Sequence, residues 1–205
     1  MSGYFDHSYD NKRRFISYWY QINEILRLVP SNVLEIGIGN GMVSNYLRNR
    51  GLNVTTLDIR EELSPDIVAG VLDMPLDDGA FDVVACYEVL EHIAYDSFSA
   101  ALSEIYRVCG RSTVISLPDQ SRAIKLLFNV PGISEKKYLV SAPRVRGIEL
   151  DAYHKWEIGA KGYPLRKIIH EMETAGFSIT STYRIFEHPY HRFFILEKSR
   201  HEHIA

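Results

Sequence analysis

Val33-Leu34-Glu35-Ile36-Gly37-Ile38-Gly39-Asn40-Gly41 is the stretch on which the reading of this chain turns. Val33, Leu34 and Ile36 make a short apolar run, the pattern of a buried strand. Three glycines then alternate with Ile38 and Asn40. Beyond them Met42, Val43, Tyr46 and Leu47 recur at helical spacing. The sequence therefore predicts strand, tight turn, helix. Glycine suits such a turn because a residue without Cβ lets the backbone bend sharply or lets a ligand come close. The helix start presents unpaired N–H groups and a partial positive charge to the turn. Nucleotide-like ligands are held this way at the end of a parallel strand.

The flanking segments extend the pattern. Strand 1 is expected over about 32–36, with the helix running to Asn49 and Gly51 placed to cap it. Strand 2, 54–59, carries Asp58, an acid beside the glycine turn that can accept hydrogen bonds from two ribose hydroxyls. Strand 3 is short, 67–70. Leu72-Asp73-Met74-Pro75-Leu76 reads as a turn, as does Asp78-Gly79. Strand 4, 81–87, is nearly all apolar, as buried parallel strands are. Glu88, Glu91 and His92 follow at its carboxyl end, where open α/β sheets form their ligand crevice. A helix over 95–108 and strand 5 over 113–117 come next. The last helix spans 165–175. Strands over 177–186 and 191–197 follow, and the connection between them is too short for a parallel crossover, so they are antiparallel neighbours.

Two regions stand outside the alternation. Residues 1–30 read as an aromatic covering helix over 11–28, with Phe15, Trp19, Ile22, Ile25 and Leu26 on one face. It packs on the sheet, or it covers the ligand site through Tyr18 or Trp19. Residues 118–163 read as an insertion over the carboxyl edge of the sheet. Within 118–146 the bases Arg122, Lys125, Lys136, Lys137, Arg144 and Arg146 face only Asp119 and Glu135 as acids. Either this is a solvated face, or Arg122, Lys125, Arg144 and Arg146 meet an anionic substrate. The main domain then spans 31–197 and the tail 198–205.

With 205 residues, 46% hydrophobic and 24% charged, the chain suits one ordinary globular domain. A net charge of −3 makes no electrostatic case for nucleic acid. Cys86 and Cys109 match no metal spacing. His201 and His203 read as a solvated terminus, so no metal is expected. No signal-like or bilayer-length apolar run is present, and the expected setting is cytoplasmic.

Two enzyme classes use such a turn with such an acid. The dinucleotide fingerprint G-x-G-x-x-G requires a glycine where Met42 stands. This chain has G-x-G-x-G instead, with Glu35 two residues ahead, and it ends in an antiparallel hairpin rather than a second βαβαβ half. Leu34 to Gly41, Thr56-Leu57-Asp58, Leu72 to Leu76 with Phe81-Asp82-Val83-Val84, Glu88-Val89-Leu90-Glu91-His92, Tyr106-Arg107-Val108 and Ala175-Gly176-Phe177 together resemble class I S-adenosylmethionine (SAM)-dependent methyltransferases of the methyltransferase type 11-like group. The resemblance covers most of 31–197.

It implies an α/β, Rossmann-like, seven-stranded, mostly parallel sheet with an antiparallel last strand and helices on both faces. SAM would lie across the carboxyl ends of strands 1 to 4. Glu35, Gly37, Gly39, Asn40 and Gly41 would border its methionine and ribose, and Asp58 would take the ribose hydroxyls. Ile59 would pack on adenine, Asp73 would accept from its amino group beside the Met74 backbone, and Tyr87 and Glu88 would line the methionyl side. His92 and His154 are candidate general bases, or packing and orienting groups. Trp156 would wall the acceptor pocket or seal the insertion to the body. The implied activity is methyl transfer to a small-molecule acceptor by in-line displacement, driven by proximity and desolvation. A SAM-binding protein without turnover is one alternative. An RNA methyltransferase is another, against which stands Cys86-Tyr87-Glu88-Val89 in place of an Asn/Asp-Pro-Pro-aromatic motif. No motif specifies the acceptor or the oligomeric state.

Overall fold

The structure, a computed structural model, describes residue 4, residues 9–142 and residues 153–199. The elements are α1 (Lys12–Leu28), β1 (Asn32–Ile36), α2 (Met42–Asn49), β2 (Asn53–Asp58), β3 (Ile67–Val68), β4 (Phe81–Tyr87), α3 (Phe98–Val108), β5 (Cys109–Pro118), β6 (Arg122–Val130), β7 (Ile133–Ala142), α4 (Leu165–Thr174), β8 (Phe177–Arg184) and β9 (His191–Lys198). Seven strands form one sheet in the order β3-β2-β1-β4-β5-β9-β8, with β9 antiparallel to both neighbours and the others parallel. The chain steps outward from β1 to β3, then returns to place β4 on the other side of β1. That switch point opens a crevice at the carboxyl ends of β1 and β4.

Alternation along the strands divides the core in two. Val33, Val83, Ala85, Tyr87, Val114, Phe193 and Ile195 face α1 and α2, meeting Tyr18, Ile25, Val43 and Leu47. Leu34, Ile36, Val84, Cys86, Ile115, Leu117, Phe194 and Leu196 face α3 and α4, meeting Phe98, Leu102, Ile105, Ile168 and Met172. The expected sheet, with helices on both faces, is the observed one.

α1 departs from its apolar pattern. Phe15 and Trp19 were expected on the packed face, yet they are 50% and 59% exposed. The buried positions are Ser17, Tyr18, Gln21, Glu24 and Ile25. This mostly polar stripe turns inward because the sheet presents polar partners. Tyr87 Oη donates to the Gln21 carbonyl at 3.1 Å, and Tyr183 Oη to Glu24 Oε1 at 2.7 Å. Periodicity of apolar residues alone cannot register such a face.

Several boundaries also move. β2 stops at Asp58, leaving Ile59 outside and 75% exposed. The helix expected from Tyr95 begins with a 3₁₀ turn, Tyr95–Ser97, before α3. β5 starts at Cys109, directly off the helix. The basic segment contains an antiparallel hairpin, β6–β7, not anticipated as strands. Arg144, Arg146 and the histidines of the tail lie outside the described residues. No helix among those described is long and apolar enough to cross a membrane.

Trp156 is fully buried against Phe98 and Tyr95, with ring centroids 4.9 and 5.1 Å away. Trp156→Ala should cost about 3–5 kcal/mol in urea unfolding, and Trp19→Ala, on the outer face, no more than about 0.5 kcal/mol. Equal losses would contradict this packing.

Candidate ligand-binding and active site

The turn after β1 is left-handed at each glycine, with φ of 83° at Gly37, 54° at Gly39 and 74° at Gly41. Only glycine holds such backbone without strain. Gly37 N donates to the Leu57 carbonyl at 2.8 Å, anchoring the turn to β2. A Cβ on Gly37 would stand 2.3 Å from Val89 Cγ2, so the turn presses directly on the segment leaving β4. A Cβ on Gly39 would meet nothing within 4 Å. Asn40 is fixed at both ends of its amide. Its Oδ1 accepts from Met42 N at 3.1 Å, and its Nδ2 donates to the Asp10 carboxylate at 3.0 and 3.1 Å. Tyr18 Oη donates to the same carboxylate at 3.0 Å. Asp10 thus ties α1 to the glycine turn.

Two carboxylates flank this turn. Asp58, 8% exposed, accepts from Ile38 N at 3.1 Å through Oδ2 and from Arg60 N at 2.9 Å through Oδ1. Glu35 is 3% exposed and its Oε2 has no hydrogen-bond partner. Burial pushes its carboxyl from 4.5 up to about 8, against hydrogen bonding from Ser44. Farther along, Asp73 is exposed. Met74 is buried, and both its backbone groups are taken: its N–H donates to Glu104 Oε2 at 3.2 Å, and its carbonyl accepts from Arg107 Nη2 at 2.9 Å. Any ligand contact with the Met74 N–H must displace Glu104.

The carboxyl end of β4 holds a second polar group of residues. Tyr87 is buried, its hydroxyl committed to α1. Glu88 is in left-handed backbone, φ 53°, rare for a residue with a side chain. Its N–H donates to the Ser116 carbonyl at 3.1 Å, and Ser116 Oγ donates to its Oε1 at 2.8 Å. Glu88 Oε2 lies 3.5 Å from His191 Nε2, and His191 Nδ1 lies 2.7 Å from Ser17 Oγ. A polar chain so runs from α1 through β9 to β4. The sequence reading missed Ser17, Ser116 and His191, which come from elements remote in the chain and carry no local motif.

Beyond Glu88, His92 and His154 are brought together, with ring centroids 5.0 Å apart. His92 is exposed, and its Nδ1 lies 3.2 Å from the Tyr153 carbonyl. His154 Nδ1 lies 2.7 Å from Glu157 Oε1. Glu91, fully buried, stands beside them. Burial and then the neighbouring Glu88 raise its carboxyl well above the ordinary range. Trp156 is sealed in the core and does not reach this surface. On the hairpin, Arg122 and Lys136 are exposed, and Lys125 and Lys137 bond Glu187, Lys125 Nζ to its carbonyl at 3.0 Å and Lys137 Nζ to Oε1 at 2.8 Å.

These buried groups make stability depend on pH. Glu35 is raised to about 8 and Glu88 to about 7, both chiefly by burial. The folded chain keeps these protons where the unfolded chain has lost them, so their contribution is full below about pH 4.5 and is lost as pH rises through 7–8. His188 and His191 are lowered by burial to about 4 and 3, so their opposite effect ends by about pH 6.5. Between pH 6.5 and 8 the urea midpoint should therefore fall, and Glu35→Gln should shrink the fall. A midpoint that rises over this interval would contradict these environments.

Residues 34–116 match the family model of a methyltransferase domain. The chain is 34% identical over 106 residues to malonyl-(acyl-carrier protein) O-methyltransferase of Pectobacterium atrosepticum, covering 45% of this chain and 41% of that protein. Over 188 residues it is 25% identical to a "probable S-adenosylmethionine-dependent methyltransferase" of Mycolicibacterium smegmatis, covering 83% of this chain and 63% of that one. It thus spans less than two thirds of the length of either relative. Its fold is similar to that of 1,6-didemethyltoxoflavin-N1-methyltransferase from Burkholderia thailandensis, with a TM-score of 0.61 at 15% identity over 97% of this chain and 84% of that one. The matched segment runs from β1 into β5 and contains the glycine turn, Asp58, Asp73 and Glu88 to His92. Residues 34–116 are thus similar to a methyltransferase domain, and the strand order is that of SAM-dependent methyltransferase structures.

Proposed function

We propose that this chain binds SAM across the carboxyl ends of β1, β2 and β4 and transfers its methyl group to a small-molecule acceptor. The observation that carries the reading is the left-handed three-glycine turn, held against the Asp58 carboxylate within a segment that matches a methyltransferase domain. The groups present fit an adenosyl ligand. Each Asp58 oxygen has a lone pair beyond its backbone bond and can accept from a ribose hydroxyl. Ile59 is exposed beside Asp58 and offers an apolar face to adenine. Asp73, exposed on the next turn, can accept from an adenine amino group. With the Met74 N–H bonded to Glu104, recognition there rests on Asp73. Glu35, Gly37, Gly39, Asn40 and Gly41 border the methionyl and ribose portions, with Tyr87 and Glu88 on the methionyl side.

When bound, SAM supplies a methyl group already activated by its sulfonium. The protein then has to orient the acceptor and exclude water; positioning of this kind can supply roughly 7–11 kcal/mol. His92, which is exposed, or the adjacent His154 would accept a proton from a hydroxyl acceptor, a contribution of about 10²–10⁴-fold. The basic hairpin supports an anionic acceptor, met by Arg122 and Lys125 on β6.

Calorimetry should show SAM binding in the micromolar range, with NADH failing to bind; the reverse order would reject the cofactor. Asp58→Ala should raise the SAM dissociation constant at least tenfold, about 1.4 kcal/mol, and an unchanged constant would remove Asp58 from the site. Reversing the charge at Arg122 and Lys125 should raise KM for the acceptor severalfold with SAM affinity intact. An unaltered KM would rule out the anionic reading.

A further inference from the structure

Glu91, His92 and His154 converge from the segment after β4 and the segment before α4. One donor atom of each lies within 4.8 Å of the others. Glu91 is 0% exposed, and neither of its carboxylate oxygens has a hydrogen-bond partner. Leaving a buried carboxylate unpartnered is costly, and such a group in a native fold calls for an explanation, an ion among them.

Both imidazoles are oriented from behind. The group facing His92 Nδ1 at 3.2 Å is the Tyr153 carbonyl, which can only accept, so Nδ1 carries the proton. His154 Nδ1 lies 2.7 Å from Glu157 Oε1, which also accepts from Tyr190 Oη at 2.8 Å; the carboxylate likewise keeps the proton on Nδ1. Each ring is left with its Nε2 lone pair. That of His154 stands 3.8 Å from Glu91 Oε1, too far for a hydrogen bond. Metal-binding histidines are typically held in this way, with a carbonyl or carboxylate on the far ring nitrogen fixing the tautomer.

We propose that Glu91, His92 and His154 form a binding site for a divalent first-row transition cation of the zinc type. Two imidazole nitrogens with one carboxylate oxygen suit such a cation, whereas magnesium and calcium take oxygen donors. Three protein ligands leave a coordination position open. Bond lengths of roughly 2.0–2.2 Å require the donors to draw together. His92, exposed and on the surface side, is the ligand free to make that adjustment. Glu157 and Tyr190 act as positioning residues behind His154. Because Val89 packs against the glycine turn, the site borders the proposed SAM crevice. Cation binding itself does not rest on the methyl-transfer reading and is tested without SAM.

The full chain, stripped with a chelator, is titrated with Zn²⁺ by calorimetry and with Co²⁺ by visible absorption. One equivalent should bind, with the ligand-field bands of a site of low coordination number, and Mg²⁺ should not compete. His92→Ala at the exposed position and His154→Gln should each weaken binding at least tenfold and abolish the bands, with circular dichroism unchanged. A His201→Ala/His203→Ala variant should bind as the wild type does. The proposal is overturned if the wild-type chain binds no stoichiometric cation, if Mg²⁺ binds more tightly than Zn²⁺, or if His92→Ala binds as tightly as wild type.

Discussion

The contact between Gly37 and Val89 constrains everything around the crevice. Backbone at Gly37 comes so close to the Val89 side chain that no Cβ fits between them, and the left-handed φ of 83° excludes other residues on separate grounds. Through this contact, the turn leaving β1 and the segment leaving β4 are pressed together across the switch point of the sheet. Both are then held from the sides. Gly37 N is bonded to β2, and Glu88 N to β5. Glu88 has left-handed backbone of its own, a strain that persists only where surrounding structure imposes it. Asp58, Glu91 and His92 take their places from these two turns.

Around that contact the protein buries an unusual amount of ionisable chemistry. Glu35, Glu91 and Glu157 are all nearly or fully buried, and Glu88 is mostly so. Each costs desolvation energy that an apolar side chain would not. Glu88 is compensated by Ser116 and His191, and Glu157 at its Oε1 by His154 and Tyr190. Glu35 and Glu91 retain oxygens with no partner.

The covering helix is attached by the same kind of chemistry. α1 meets the sheet through Ser17, Gln21 and Glu24 as well as Tyr18 and Ile25. Hydrogen bonds from Tyr87 and Tyr183, and the bond between Ser17 and His191, fix its rotation about its own axis, leaving Phe15 and Trp19 outside. Asp10, just before the helix, reaches Asn40 in the glycine turn. The N-terminal segment is thereby joined to the site by side-chain contacts that no apolar periodicity describes.

What was legible in the sequence was local or repetitive. The glycine spacing after Ile36, the acid ending β2, the apolar run of β4 and the short link between β8 and β9 each follow from backbone geometry within a few residues. Those features determined the sheet, its switch point and the likeness of residues 34–116 to a methyltransferase domain. Tertiary structure alone decided which face of α1 turns inward, that the Met74 N–H is spent on Glu104, and that Trp156 belongs to the core. It also decided that Glu91 and His92 meet His154, and that Ser17 reaches Glu88 through His191. Those outcomes depend on hydrogen-bond partners supplied from distant elements. Such pairings are chosen by how the layers pack, and periodicity in a single segment carries no record of them.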